Sequence, residues 1–313
     1  MKIAYLISTY TDPEQLMRLV DALYVKDKTR FFIHIDKGSQ IDKALDFGEK
    51  KDQIKLTGKR VFVTWGGYSQ CLYQKILIDE CIESGIEFDR VMFLTGQDYP
   101  LVSNEFLFKE LESYPGKEFI AATNISRTDN LKQRSKIDRY HFYRDIKSRN
   151  SLWTSIKKLR RGILKNIRIK KNPNLEINGK TQDIYFGSSY CCLSFDCIKF
   201  IQKEMNKKVY KKYFKHTYIP EELLIPTIIF NSEFKDKAFE LKGEPITLKA
   251  TTPIHFIDYG KEVKKFTEKD FDQLTGSGKW FFRKAATGVS DKLLDLIDLK
   301  RSHEASFSNQ ASH

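Results

Sequence analysis

Nowhere in the 313 residues is there an apolar run approaching the roughly 18 that a membrane-spanning helix needs, which excludes an integral helical membrane protein. The N-terminus carries one Lys and a short apolar stretch that stops at Asp12, Pro13 and Glu14, so it reads as a first β-strand and not as a signal peptide. Cysteine is scarce: Cys71, Cys81, Cys191, Cys192 and Cys197 make an odd number without metal-like spacing, the usage of a reducing compartment. GxGxxG, Walker and HExxH motifs are absent, and no D-x-D falls at a strand end. No internal repeat and no recognisable DNA- or RNA-binding module is present.

Aromatic residues are plentiful. With 23 Phe and 15 Tyr the chain can bury enough apolar area to offset the entropy of ordering, so the bulk of it folds. The length suits one large domain or two modest ones. Lys and Arg outnumber Asp and Glu by 54 to 41, a net +13 that favours phosphate-bearing partners. More than half of that excess lies between Ser151 and Lys171, where eight cations and no acid occur.

Residues 1–125 alternate strand and helix patterns. Strands are expected at 2–8, 30–36, 60–65, 90–96 and 118–123, and helices from Pro13, over 68–84 and over 104–113. This alternation predicts an α/β fold with a mostly parallel sheet and helices on both faces. Ligands bind such sheets at the strands' carboxyl ends, where Asp36, Gly66-Gly67 and Asp98 fall. Further on, a strand is expected around 190–194 and helices at about 195–207 and 219–230. A short amphipathic helix and a disordered tail close the chain.

Read alone, several residues have two explanations. Glu221 and Glu222 follow Pro220 at a helix start, where acids favour the helix dipole, yet a carboxylate there could also serve as a general base. Asp36 and Asp98 are either loop caps or acceptors for ligand hydroxyls and N–H groups. Gly67, with its neighbour Gly66, and Ser188, with Gly187, are turn formers or close-approach positions. Tyr259 is a core aromatic or a platform for a sugar face. His34 and the cysteines read as core.

A series of short signatures runs in order along the chain: HIDKGS (34–39), TWGGYS (64–69), FLTGQDYPL (93–101), FGSSYCCLS (186–194), TYIPEELLIPTII (217–229), FTEKDFDQL (266–274) and KWFFRK (279–284). Together they resemble the core-2/I-branching β-1,6-N-acetylglucosaminyltransferase family, which also includes peptide-O-xylosyltransferases, over roughly residues 2–286. The resemblance implies a glycosyltransferase-A type fold and inverting transfer from a UDP-sugar without a divalent metal or other cofactor. It makes Glu222 the catalytic base. It places Asp36, Gly67, Asp98, Lys261, Lys264, Lys265, Arg283 and Lys284 at the donor, with Lys284 the best match for the cation on the leaving diphosphate. Asp98, Ser188, Glu221 and Tyr259 fall to the acceptor, and no residue to a metal.

On this reading residues 1–286 form one catalytic domain, with a nucleotide-binding half at 1–125 and an acceptor and catalytic half at 126–286, followed by a helix and tail at 287–313. The donor expected first is UDP-N-acetylglucosamine, then UDP-xylose or another UDP-hexose. The acceptor would be a glycan, free or lipid-linked, as in surface polysaccharide synthesis, and nucleic acid is not an expected partner. Without a signal anchor or extra cysteines, the chain resembles a bacterial cytoplasmic form of the family. Within 151–171, Leu152, Trp153, Ile156, Leu159, Ile163, Leu164 and Ile167 recur at helical intervals among the cations. That is the pattern of an interfacial helix at an anionic membrane, such as the inner face of the plasma membrane, or of a packed helix with a solvated basic face. A protein that keeps the fold but only binds nucleotide, glycan or nucleic acid is the alternative from another class.

Overall fold

The computed structural model describes residues 1–146, 151–167, 169–242, 248–260 and 262–310; Lys261, one of the expected donor cations, lies outside the described residues. The chain opens with β1 (Ile3–Thr9), α1 (Pro13–Leu23), β2 (Thr29–Ile35), β3 (Ile54–Leu56), α2 (Ser69–Glu83) and β4 (Arg90–Thr95). Asp12 caps α1 by accepting from Gln15 N at 3.3 Å, and Pro13 takes the first helical position, where its missing N–H costs nothing.

β1 pairs in parallel with both β2 and β4, and β2 pairs in parallel with β3. The strand Cys192–Ser194 closes the far edge antiparallel to β4. Side chains alternate across β1, so its two faces enter different cores. Ile3, Tyr5 and Ile7 pack with Leu16, Leu19 and Val20 of α1, whereas Ala4 and Leu6 join Leu77, Ile78 and Cys81 of α2. The expected α/β layering, a mostly parallel sheet covered on both sides, is what forms. All five cysteines are buried and unbridged.

Three local expectations are corrected. Residues 60–65 form no strand: the N–H groups of Val61, Val63 and Thr64 meet side chains and not a neighbouring backbone. Val61 N donates to His34 Nε2, Val63 N to Asp36 Oδ2 and Thr64 N to Ser69 Oγ. The helix expected over 219–230 is broken into a 3₁₀ turn at Pro220–Glu222 and a helix at Leu224–Phe230. The final helix runs from Asp291 to Gln310, well past the expected disordered start. Arg301 secures this extension, donating from Nε to Val102 O at 2.9 Å and from Nη2 to Ala22 O at 2.6 Å.

A smaller sheet completes the frame around the site. Phe281–Arg283 pairs antiparallel with Asp98–Pro100 and parallel with His255–Ile257. Its register sets Arg283 opposite Asp98.

Candidate active site

A cleft of about 510 Å³ opens at the carboxyl ends of β1, β2 and β4. Its wall includes Thr9, Asp36, Gly96, Trp65, Glu221, Glu222, Tyr259 and Arg283. Five residues expected from sequence at the donor, the acceptor or the catalytic step are therefore brought together there: Asp36, Glu221, Glu222, Tyr259 and Arg283.

Asp36 leaves the end of β2 and is buried, accepting from Gly38 N at 2.7 Å and from Val63 N at 2.8 Å. It thereby ties the 61–65 segment to the sheet edge. Ile219 holds a left-handed backbone at φ 45°, a conformation costly for a β-branched residue, and the turn it starts carries both glutamates into the cleft. Glu221 is buried, and its Oε2 has no hydrogen-bond partner among the described residues. Burial and the neighbouring Glu222 charge push its pKa well above the ordinary carboxylate range. Burial raises Glu222 to about 7, and the opposing charge of Lys136 limits the rise. Both adjacent carboxyls therefore hold their protons more tightly than an exposed glutamate does, and the charge of Lys136 favours ionisation of Glu222.

Arg283 is fixed by Asp98. Asp98 is fully buried and accepts from Thr95 N at 2.7 Å, Thr95 Oγ1 at 2.8 Å and Arg283 Nη1 at 3.0 Å. His255 Nε2 lies 3.3 Å from its other oxygen. Burial alone would raise the Asp98 pKa, but the His255 ring beside it and the Arg283 charge bring it below the ordinary value. Burial likewise opposes the Arg283 charge, yet Tyr190, Asp98 and Tyr259 more than offset it and hold the guanidinium protonated.

The remaining expected residues stand back from the wall. Asp98 is spent on Thr95 and Arg283. Lys284 follows Arg283, and successive residues along an extended strand point to opposite faces; it is half-buried beside Arg283 and Lys265. Burial and those two charges lower its pKa. Lys264 pairs with Asp270 at 2.6 Å, and Lys265 is exposed. Ser188 Oγ accepts from Tyr190 N at 3.0 Å, while Ser189 reaches the cleft. Gly67 makes room for protein, since a Cβ there would lie 2.3 Å from Asp145 Oδ1.

Sequence reading missed Trp65, Lys136 and Arg144. Trp65 lies in the TWGGYS signature and keeps 66% of its surface exposed on the cleft. Arg144 stacks 4.8 Å from the Tyr218 ring and donates from Nη2 to Trp65 O, joining the Trp65 loop to the glutamate turn. Lys136 is buried with Nζ 3.5 Å from the Phe186 ring centre, and nothing in its sequence neighbourhood marks it. Among the described residues no three His, Cys, Asp or Glu side chains gather where they could hold a metal ion, and no helix is long and apolar enough to cross a membrane.

Comparison with known proteins gives consistent relatives. Human N-acetyllactosaminide β-1,6-N-acetylglucosaminyltransferase is 23% identical over 70% of this chain and 50% of its own length. Rat xylosyltransferase 1 is 22% identical over 91% of this chain and 33% of its own length, and the xylosyltransferase oxt of Drosophila melanogaster is 23% identical over 70% and 23%. The chain thus spans between about a quarter and a half of the curated relatives it matches. Among solved structures, mouse xyloside xylosyltransferase 1 aligns over 76% of this chain and 84% of that one with a TM-score of 0.29 and 10% identity. The family model for the Core-2/I-Branching enzyme matches residues 3–273, and the chain belongs to that family.

Proposed function

We propose that the protein is an inverting glycosyltransferase that moves a sugar from a UDP-sugar to a glycan hydroxyl without a divalent metal. The observation that carries this reading is the presence of Glu222 and Arg283 on one cleft wall at the sheet's carboxyl edge. Glu222 takes the proton of the acceptor hydroxyl as that oxygen bonds to the anomeric carbon. The bond from that carbon to the diphosphate breaks, its electron pair passes to the β-phosphate oxygen, and Arg283 neutralises the developing charge from a fixed position. Lys284 and Lys265 add positive potential behind it. Glu221, with its unmatched oxygen, hydrogen-bonds a sugar hydroxyl, and Tyr259 and Trp65 offer ring faces to sugar C–H groups. Asp36 binds the nucleoside part of the donor.

N-acetylglucosamine is the sugar proposed first and xylose second, following the activities named for the human and rat relatives. The acceptor is proposed to be a surface glycan. Release of UDP from a panel of UDP-sugars, with and without EDTA, tests the reading. Turnover of one donor, unchanged by EDTA and lost in Glu222→Gln, is expected; binding of UDP without turnover of any donor would leave a nucleotide-binding protein, and a tenfold loss in EDTA restored by Mn²⁺ would overturn the metal-free mechanism.

A further inference from the structure

The helix Ser151–Ile167 half-buries Ile156 and Leu164 but leaves Leu152, Trp153, Leu159 and Ile163 exposed, which a water-facing surface helix does not ordinarily do. Its half-buried side is partly cationic: Lys157 Nζ donates to Asp145 O at 3.5 Å, and Arg161 sits close enough to Arg144 and Tyr218 to shift their proton affinities. Its outer side carries an apolar stripe. Leu159 and Ile163 expose 68% and 57% of their surface, one helical turn apart, and Leu152 and Trp153 near the helix start expose 66% and 53%. Exposed Lys158 and Arg160 flank this stripe, and no acidic residue occurs between 151 and 171.

We propose that this helix docks the protein on an anionic lipid surface, with Leu159 and Ile163 entering the acyl boundary and Lys158 and Arg160 at the headgroups. Charge complementarity selects this occupant, because a second copy of the chain would set one basic helix against another. Lys171, counted in the sequence with the other cations, takes no part: it is buried and donates to Tyr213 O at 2.7 Å and Thr217 Oγ1 at 2.6 Å. Ile146, five residues before the helix, lines the cleft, and Lys157 is bonded to the adjacent Asp145. Docking therefore anchors a segment that lines the cleft close to the lipid surface, where a lipid-linked acceptor would be presented. That last consequence rests on the proposed sugar transfer; the docking does not.

Sedimentation with phosphatidylcholine vesicles, with and without phosphatidylglycerol, tests the docking. The full chain should bind the anionic vesicles at low salt and less at physiological salt. Leu159→Ser with Ile163→Ser leaves the charge unchanged and should weaken binding at least about tenfold. Lys158→Glu with Arg160→Glu should weaken it at least about 25-fold. Absence of binding by the wild type at low salt, or equal binding by the serine variant, overturns the proposal, the latter reducing it to diffuse adsorption of a basic protein. A dimer in ultracentrifugation that the serine variant abolishes would assign the stripe to a second copy instead. UDP binding, read by thermal shift in the same samples, should be the same in all variants; its absence from the wild type would count against the transferase reading and leave the vesicle result standing.

Discussion

Arg283 Nη1 and Asp98 Oδ1 lie 3.0 Å apart across two antiparallel strands, so the cation on the cleft wall is set by sheet register and not by a mobile side chain. A charge fixed before the reaction stabilises a leaving diphosphate without reorganising. Asp98→Asn keeps the shape and removes the counter-charge; breaking a buried pair of this kind costs about 3 kcal/mol, visible in chemical denaturation. Arg283→Lys keeps the charge but loses the planar fork, and UDP affinity by calorimetry should fall roughly tenfold. Lys284→Ala should cost less than Arg283→Lys. The reverse order would return the main phosphate contact to Lys284.

The two glutamates should respond differently to the same change. Glu222→Gln removes the proton acceptor and should slow transfer on the order of 10²–10⁴-fold with little change in donor affinity. Glu221→Gln keeps the size and hydrogen-bonding capacity of a buried carboxyl whose ionisation is disfavoured by burial and by the Glu222 charge, and most activity should remain. In the wild type, activity should rise with pH through about 7 and then level, as Glu222 loses its proton. Stability runs the other way. Both folded pKa values lie above the unfolded value of about 4.5, so the folded state holds these protons more tightly. The stability this contributes is full below pH 4.5 and is lost as pH rises through about 7 for Glu222. Thermal unfolding should show Glu222→Gln gaining on the wild type at pH 8 relative to pH 4.5. A parallel fall in both proteins would mean that Glu222 is already ionised at low pH.

Much of the frame is readable in the sequence because it rests on local signals. Asp12-Pro13 marks the start of α1, and the periodic apolar residues of α2 mark its buried face. Asp36 could be placed at the sheet edge because it ends a run of buried-strand residues. What escaped reading depends on distant partners. Residues 60–65 have strand composition, but whether they pair was decided by His34, Asp36 and Ser69 taking their N–H groups. That Arg283, and not Lys284, lines the cleft depends on the register against Asp98, which no local signal reports. The different surroundings of Glu221 and Glu222 show only once burial and Lys136 are known, since the two neighbours look alike in sequence.

Lys136 is the counter-charge that restrains Glu222. Burial lowers its own pKa to about 8, while the Glu222 charge supports the protonated form. Lys136→Met keeps the apolar stem against Phe186 but removes the charge, so the Glu222 pKa should climb. The rising limb of the pH–rate profile should move up by roughly one pH unit, with the rate recovered on the alkaline side, and Lys136→Arg should restore much of the original profile. A uniform loss of rate at every pH would mean that Lys136 matters only for packing.

Gly67→Ala tests the join between the cleft loop and α2. Asp145 Oδ1 accepts from Ser69 N at 2.9 Å, satisfying one of the free N–H groups at the start of that helix. An added Cβ at Gly67 would lie 2.3 Å from the same oxygen and 3.1 Å from Thr64 O, and the backbone carbonyl cannot move aside as a side chain can. Asp145 must then leave Ser69, and the helix start loses its cap at a cost of about 1–2 kcal/mol, measurable by denaturation. Asp145→Ala alone should cost a similar amount, and the double variant should cost less than the sum of the two, because both changes break the same contact. Full additivity would show that Gly67 is required for its own backbone and not for Asp145.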